Sequence, residues 1–357
     1  MFGFFKKKQD YKAVVNGADT LTVKPGDNLL KVGLEAGLPW DHDCRVGSCG
    51  RCKCRLVDGK IKPLADFSYV LEGDELQNGY ILACQTALKT DINVEVKLLE
   101  AEGEKQRFWK SDSTITNIRD LTHDIKEITV EINDDSVTSA DELLYRAGQY
   151  ADLKLPHLAE GRSYSFATAP KLGQKTCLFY IRKVPGGEFT DWLFEEDRTG
   201  QTLEMSGPFG QFGLAKEPTT MTCVAGGSGM SAVMGVLQAA LESGEKRDVR
   251  FIFGARTQKD LYCNDLISDM ATQWKSKGLG QFDYIPCLSE EPDNSDWTGS
   301  RGLCTEFISP EDNIEGQAYL CGPPGMIDAA IAVFEQKGIQ QDAIFFDKFL
   351  DKSNTPS

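Results

Sequence analysis

The chain has 357 residues, 54 acidic and 39 basic side chains, a formal charge of −15 at neutral pH, and 41% hydrophobic residues. These proportions exclude a disordered or fibrous chain, and the length exceeds one ordinary core, so three domains are expected. The acidic balance excludes a nonspecific nucleic-acid binder, which needs a basic footprint, and no run of about 18 apolar residues is present to span a bilayer.

The charge is unevenly spread. Residues 1–100 carry 14 basic and 14 acidic side chains, whereas residues 101–357 carry 25 and 40, so a neutral first segment and an acidic remainder are expected to meet different partners. No secretory pattern opens the chain, which predicts the cytoplasm. Met1 to Phe5, followed by Lys6, Lys7 and Lys8, bury too little area to anchor on a membrane, so a frayed end is expected and any membrane contact would run through a partner. Five of the eleven cysteines fall within residues 44–84, and in a reducing compartment that clustering points to metal or redox chemistry rather than disulfides.

Residues 11–23 alternate around Asn16-Gly17 and predict a hairpin, Tyr11 to Val15 and Thr20 to Val23. Asn28 is placed to cap a helix with Leu29, Leu30, Val32 and Leu34 on its apolar face, ended by Gly37. Cys44, Cys49 and Cys52 follow with C-x4-C-x2-C spacing, and Cys84 comes later by itself. Two sulfide-bridged irons need four thiolates, and this spacing is the plant-type [2Fe–2S] arrangement. Gly47 and Gly50 let the loop curl around the cluster. A tetrahedral zinc site is the alternative, but it usually offers a second close pair, which Cys84 does not supply. His42 lacks the second histidine that a Rieske centre requires and is expected to be a loop residue, and Cys54 a small core residue.

A linker is expected near residues 101–108, followed by strands at Ser113 to Leu121, Ile125 to Ile132 and Gln149 to Leu155, which suit a small antiparallel barrel. Arg162-Ser163-Tyr164-Ser165 offers a cation for a pyrophosphate, an aromatic face and a hydroxyl for an isoalloxazine. Arg182 to Thr190 passes from strand to helix through Gly186-Gly187, freeing backbone amides for a phosphate, with the Thr190 hydroxyl in support. Gly207-Pro208-Phe209-Gly210 reads as the turn that closes the barrel.

From residue 220 the pattern becomes strand, Gly226-Gly227-Ser228-Gly229-Met230, helix to about Ser243, and strand Val249 to Gly254, a βαβ unit with a nucleotide loop. A last strand, Ala318 to Leu320, runs into Cys321-Gly322-Pro323-Pro324 and a helix from Ile327, placing Cys321 to pack against a nicotinamide. No histidine lies in this segment to serve Cys321 as a base, so hydrolytic and acyl chemistry are excluded. Cys223, Cys263, Cys287 and Cys304 are expected to be buried small residues.

The order of these motifs resembles the ferredoxin–NADH reductase components of bacterial multicomponent oxygenases over essentially the whole chain. The likeness rests on His42-Asp43-Cys44, Val46-Gly47-Ser48-Cys49-Gly50, Arg162-Ser163-Tyr164-Ser165, Asp197-Arg198-Thr199-Gly200, Gly210-Gln211-Phe212-Gly213-Leu214, Gly254-Ala255-Arg256 and Cys321-Gly322-Pro323-Pro324. One departure is the nucleotide loop, which reads Gly-Gly-Ser-Gly-Met-Ser-Ala where the family often has Gly-Gly-Thr-Gly-Leu-Ala-Pro.

The resemblance implies a plant-type ferredoxin domain of β-grasp fold at residues 1–104, an antiparallel FAD barrel at 109–216 and a doubly wound, parallel-sheet NADH domain at 217–352. It assigns Cys44, Cys49, Cys52 and Cys84 to the cluster, and Arg162, Tyr164, Ser165, Gly186, Gly187 and Thr190 to FAD. Gly227, Gly229, Met230, Arg256, Cys321, Gly322 and Pro323 fall to the nucleotide, and Ser165, Cys321, Asp347 and Phe349 to hydride transfer. Phe349 would cover the flavin until nicotinamide displaces it. NADH rather than NADPH is likewise implied by the resemblance, although Arg256 is placed to meet a 2′-phosphate. The implied partner is a terminal oxygenase, a membrane di-iron hydroxylase in the first instance, with a soluble di-iron enzyme or a Rieske oxygenase as alternatives. A sodium-pump subunit would resemble a chain with an N-terminal membrane helix, and a redox sensor would hold the cofactors without turnover.

Overall fold

A computed structural model of the chain describes residues 9–47, 49–99, 107–308 and 314–349. The chain divides into two compact units, Met1–Phe108 and Trp109–Ser357. The expected N-terminal fray and most of the expected linker lie outside the described residues.

The first unit contains β1 (Tyr11–Val15), β2 (Asp19–Val23), α1 (Leu29–Glu35), β3 (Lys53–Asp58), β4 (Ile61–Pro63), α2 (Gly73–Gln77), β5 (Tyr80–Leu82), β6 (Thr86–Leu88) and β7 (Ile92–Glu95). Its main sheet runs β2-β1-β7-β3-β5, with β1 parallel to β7. Alternation puts Ala13, Val15, Leu21 and Val23 inside, as the hairpin pattern requires. Asn16 and Gly17 both take the left-handed conformation at the turn (φ 54° and 70°), and the Asn16 side chain clamps both backbone groups of Val96. Asn28 caps α1, its side-chain oxygen accepting from the Lys31 amide at 2.8 Å. Gly33 then allows the fully buried Trp40 ring to pack against the helix, since a Cβ there would lie 3.0 Å from it.

The second unit opens with an antiparallel barrel: β8 (Trp109–Asp120), β9 (Ile125–Ile132), β10 (Tyr150–Lys154), β11 (Arg162–Ser165), β12 (Thr176–Arg182), α3 (Glu188–Glu195) and β13 (Thr202–Phe209). The sheet order is β11-β10-β13-β8-β9-β12. Its edges are joined by a bridge between Phe166 and Phe179 and by the Ala167 amide donating to Leu178 O at 2.8 Å. This corrects the expectation for Gly207-Pro208-Phe209-Gly210: the first three residues lie within β13, Gly210 follows it, and closure occurs at the far edges.

The same unit continues with β14 (Met221–Gly226), α4 (Met230–Ser243), β15 (Val249–Ala255), α5 (Asn264–Ser276), β16 (Phe282–Leu288), β17 (Ser300–Arg301), β18 (Gln317–Gly322), α6 (Pro324–Gln336) and β19 (Ile344–Lys348). The helix expected from Ile327 starts earlier, with Pro324 in its first turn, where a missing N–H costs nothing. These strands form a wholly parallel sheet ordered β17-β16-β15-β14-β18-β19. Successive residues of β14 face opposite sides, Cys223 and Ala225 toward the core holding α4 and α5, and Val224 toward the core holding α6.

Barrel and parallel sheet share one core. Ile125, Ala167, Tyr180 and Phe212 of the barrel segment pack with Met230, Val233 and Leu237 of α4. Gly235 brings α4 close to the barrel backbone, because a Cβ there would lie 3.2 Å from Phe166 O and 3.3 Å from Thr168 O.

Candidate functional site

In the first unit, the loop from Asp41 to Cys52 is bent by left-handed Arg45, Gly47 and Gly50 (φ 55°, 84° and 74°). The space that a Cβ on Gly47 would need is occupied by Gln85, whose side chain would lie 2.6 Å from it and whose Nε2 donates to Arg45 O at 3.4 Å. Pairing of Lys53 with Leu82, and the Ala83 amide donating to Cys52 O at 3.2 Å, carry Cys84 back beside Cys52. The four thiols converge as two contacting pairs. Cys44 pushes the Cys49 thiol pKa up, and Cys52 does the same to Cys84, which also feels Cys44 and Cys49. Two contacting pairs of thiols fit two irons, each taking two thiolates.

The surroundings support that reading. His42 is buried with Nδ1 2.8 Å from Trp40 O, and burial pushes its pKa down to about 4, so it is neutral at neutral pH. Cys54 is fully buried in the core. Arg51 sits 3.5 Å from Asp41 and 3.9 Å from Asp43 at the loop's edge.

On the barrel, β11 pairs with β10 in the register Leu153–Arg162, Ala151–Tyr164 and Tyr150–Ser165. Arg162 and Tyr164 therefore share one face of the strand, and Ser163 and Ser165 the other. Tyr164 meets Phe189 of α3 at 5.3 Å between ring centroids, and Arg162 lies 3.4 Å from Glu188 at the start of that helix. The strand tetrad and the glycine turn are thus brought together. Gly186 is left-handed (φ 70°), and a Cβ on Gly187 would lie 2.7 Å from Thr190 Oγ1 and 2.9 Å from Val184 O. The Thr190 hydroxyl turns inward: it accepts from the Val184 amide at 3.1 Å and lies 3.1 Å from Val184 O and 3.2 Å from Gly187 O. What this turn offers a phosphate is its backbone at the helix N-terminus and the Arg162 guanidinium, with Thr190 holding the turn in shape.

A cleft lies between the barrel and the parallel sheet. Asp124 and Arg182 line one wall, and Gly227, Arg256, Ser289, Pro323 and Met326 are among the residues lining the other. Gly227, Arg256 and Pro323, all expected at the nucleotide, are therefore brought together. Gly226 and Gly322 touch, since a Cβ on Gly322 would lie 3.1 Å from Gly226 O. Register places Cys321 beside Asp347, and the Phe349 amide donates to Gly322 O at 2.9 Å, so Cys321, Asp347 and Phe349 gather at the ends of β18 and its neighbour β19. The Met230 side chain points into the core, leaving only its backbone at the start of α4 for the nucleotide.

Other residues were missed by sequence reasoning. Arg182 Nε donates to Asp124 Oδ2 at 2.9 Å, and the guanidinium stands 3.5 Å from where a Gly227 Cβ would be. Burial raises the Asp124 pKa, but Arg182 and the Thr122 hydroxyl outweigh it and hold the carboxyl below its usual range. Nothing in the local sequence marks this pair, which forms when β12 pairs with β9 and sets Arg182 opposite Ile125, next to Asp124. Among the cysteines expected inside, Cys223, Cys287 and Cys304 are buried, but Cys263, at the N-cap of α5, is only half-buried and takes a left-handed conformation (φ 61°).

Three family models match in the same order: the 2Fe-2S iron-sulfur cluster binding domain over residues 13–89, the oxidoreductase FAD-binding domain over 112–213, and the oxidoreductase NAD-binding domain over 223–331. Over 333 residues, 92% of this chain and 91% of its relative, the sequence is 39% identical to the xylene/toluene monooxygenase electron transfer component of Pseudomonas putida. The chain belongs to the reductase components of multicomponent oxygenases. A further relative in this family is the ferredoxin–NAD(P)+ reductase component of the Pseudomonas putida naphthalene 1,2-dioxygenase system, 32% identical over 91% of this chain and 94% of its own. Among solved structures, the Amycolatopsis cytochrome P450 reductase GcoB is similar with a TM-score of 0.81 and 28% identity, covering 95% of this chain and 98% of that one. The ferredoxin reductase of carbazole 1,9a-dioxygenase gives 0.75 and 25%, covering 96% and 99%. The reductase is an NADH-dependent iron–sulfur flavoprotein whose cofactors are a [2Fe–2S] cluster, FAD and NADH, and it serves a terminal oxygenase. Among the described residues, no helix is long and apolar enough to cross a membrane.

Proposed function

We propose that this reductase draws electrons from NADH in the cleft between barrel and parallel sheet and passes them through the four-cysteine centre to a membrane di-iron hydroxylase of aromatic hydrocarbons. The observation that carries the reading is one chain holding the paired thiols of Cys44, Cys49, Cys52 and Cys84, the Arg162–Ser165 strand beside the Gly187 turn, and a nucleotide cleft. FAD supplies the conversion between a two-electron donor and a one-electron acceptor. The hydroxylase class is supported by the relative that bears the name xylene/toluene monooxygenase electron transfer component.

Each wall has its task. Arg162 and the backbone at Gly186 and Gly187 hold the flavin pyrophosphate, Tyr164 lies along the ring, and Ser165 offers its hydroxyl near the reacting edge. Gly227, Gly229 and the start of α4 take the dinucleotide phosphates, Arg256 stands toward the adenosine end, and Cys321, Gly322 and Pro323 shape the nicotinamide end. Asp347 on β19 and Phe349 just after it would border that end, with the Phe349 ring as the group that would cover the flavin in the absence of nicotinamide.

Replacing Cys49 with Ser tests the order of transfer. NADH should still bleach the flavin, while cytochrome c reduction falls to background; equal loss of both would overturn the order. For the partner, NADH-dependent hydroxylation should be restored by mixing the reductase with a membrane fraction that carries the hydroxylase. Restoration by a soluble di-iron or Rieske oxygenase instead would overturn the proposed class.

A further inference from the structure

Tyr262 stands just before α5, buried, with its hydroxyl donating to Gly227 O at 2.8 Å. Its ring meets Tyr180 of β12 at 5.7 Å and 87°, and Phe253 of β15 at 5.6 Å and 88°, both edge-to-face. One side chain thus touches the nucleotide loop, the parallel sheet and the barrel. The first turn of α4 is tied to the same barrel residue, since the Tyr180 amide donates to Ser231 Oγ at 3.3 Å.

In a trans peptide the carbonyl and the following amide point in opposite directions. Gly227 O accepts from both the Tyr262 hydroxyl and the Met230 amide, so this carbonyl is held inward and the Ser228 amide is turned to the other side of the peptide. Gly227 lines the cleft, and its left-handed φ of 55° begins a run of amides suited to an anion. Without the hydroxyl, the peptide loses a restraint against rotating its carbonyl toward the phosphates, where it would repel them.

We propose that Tyr262 is a positioning residue for the dinucleotide: its hydroxyl orients the Gly227–Ser228 peptide toward the pyrophosphate, and its ring registers that loop against flavin-domain strand β12. This rests on the reading that Gly227 to Gly229 bind the dinucleotide.

The test uses the full-length holo-reductase. Tyr262→Phe keeps the ring and removes the hydroxyl. The dissociation constant of NAD+, titrated against the photoreduced enzyme, and the KM for NADH should each rise about three- to tenfold, the range expected for one hydrogen bond. Flavin and iron content, and cytochrome c reduction driven by light instead of NADH, should not change. A fall in melting temperature with NAD+ affinity and KM unaltered would overturn the proposal, because Tyr262 would then be structural only. Ser228→Asp tests the underlying reading by placing a negative charge in the loop. NADH binding weakened by Ser228→Asp but untouched by Tyr262→Phe removes only the role of Tyr262; binding untouched by Ser228→Asp removes the loop assignment itself.

Discussion

The backbone of Gly229 approaches the carbonyl of Cys321 so closely that a Cβ at residue 229 would lie 2.1 Å from the oxygen and 2.5 Å from the carbonyl carbon. The two turns leave neighbouring parallel strands, β14 and β18, where the sheet order reverses direction and ligands of such sheets bind. Gly229→Ala should force the turns apart and lower kcat/KM for NADH by more than about tenfold, a loss of over ~1.4 kcal/mol. Retained flavin, with light-driven cytochrome c reduction intact, would place the damage at the nucleotide cleft.

Gly47 and Gln85 make a comparable contact in the first unit. Gly47→Ala meets both a left-handed backbone, costing about 1 kcal/mol, and the Gln85 side chain. Iron and labile sulfide per chain should fall while FAD content stays constant. Adding Gln85→Ser opens the space and should recover part of the iron; no recovery would assign the whole loss to backbone strain.

Thr190 is predicted to act on FAD through the shape of its turn. Thr190→Val removes the hydroxyl that joins Val184 and Gly187 and should cost about 1–2 kcal/mol of local stability. Flavin should then dissociate more readily, seen as a rise in free-flavin fluorescence on dilution. Thr190→Ser should behave like the native chain.

The Arg182–Asp124 pair carries a pH prediction. Asp124 has a depressed pKa in the folded chain, so its contribution is fully present above the ordinary carboxyl value of 3.8 and is lost only as pH falls through the lower folded value. Between about pH 5 and 8 the pair should hold unchanged, and Asp124→Asn should shift the KM for NADH by a constant factor across that range. A break in the native KM profile above pH 5 that vanishes in Asp124→Asn would contradict this.

What the amino-acid sequence determined by itself is what short-range chemistry encodes. The Asn16-Gly17 hairpin, the Asn28 cap, the loop carrying Cys44, Cys49 and Cys52, and the strand–glycine–helix passages at Gly187 and Gly227 each need only a few neighbouring residues, so their spacing was enough. Packing overrides a turn signal at Gly207-Pro208, which the barrel absorbs into β13, and Cys263 stands half-buried at the start of α5 rather than inside the core. Tertiary structure alone decided the partners of the predicted residues: Gln85 behind Gly47, Asp124 and Arg182 across from Gly227, and Tyr262 beneath the loop. Those contacts join residues distant in the chain, 35 positions apart for Tyr262 and Gly227 and 58 for Arg182 and Asp124. Around Gly227 the geometry is set by the shared core that seats α4 against the barrel, and no pattern of neighbouring residues carries it.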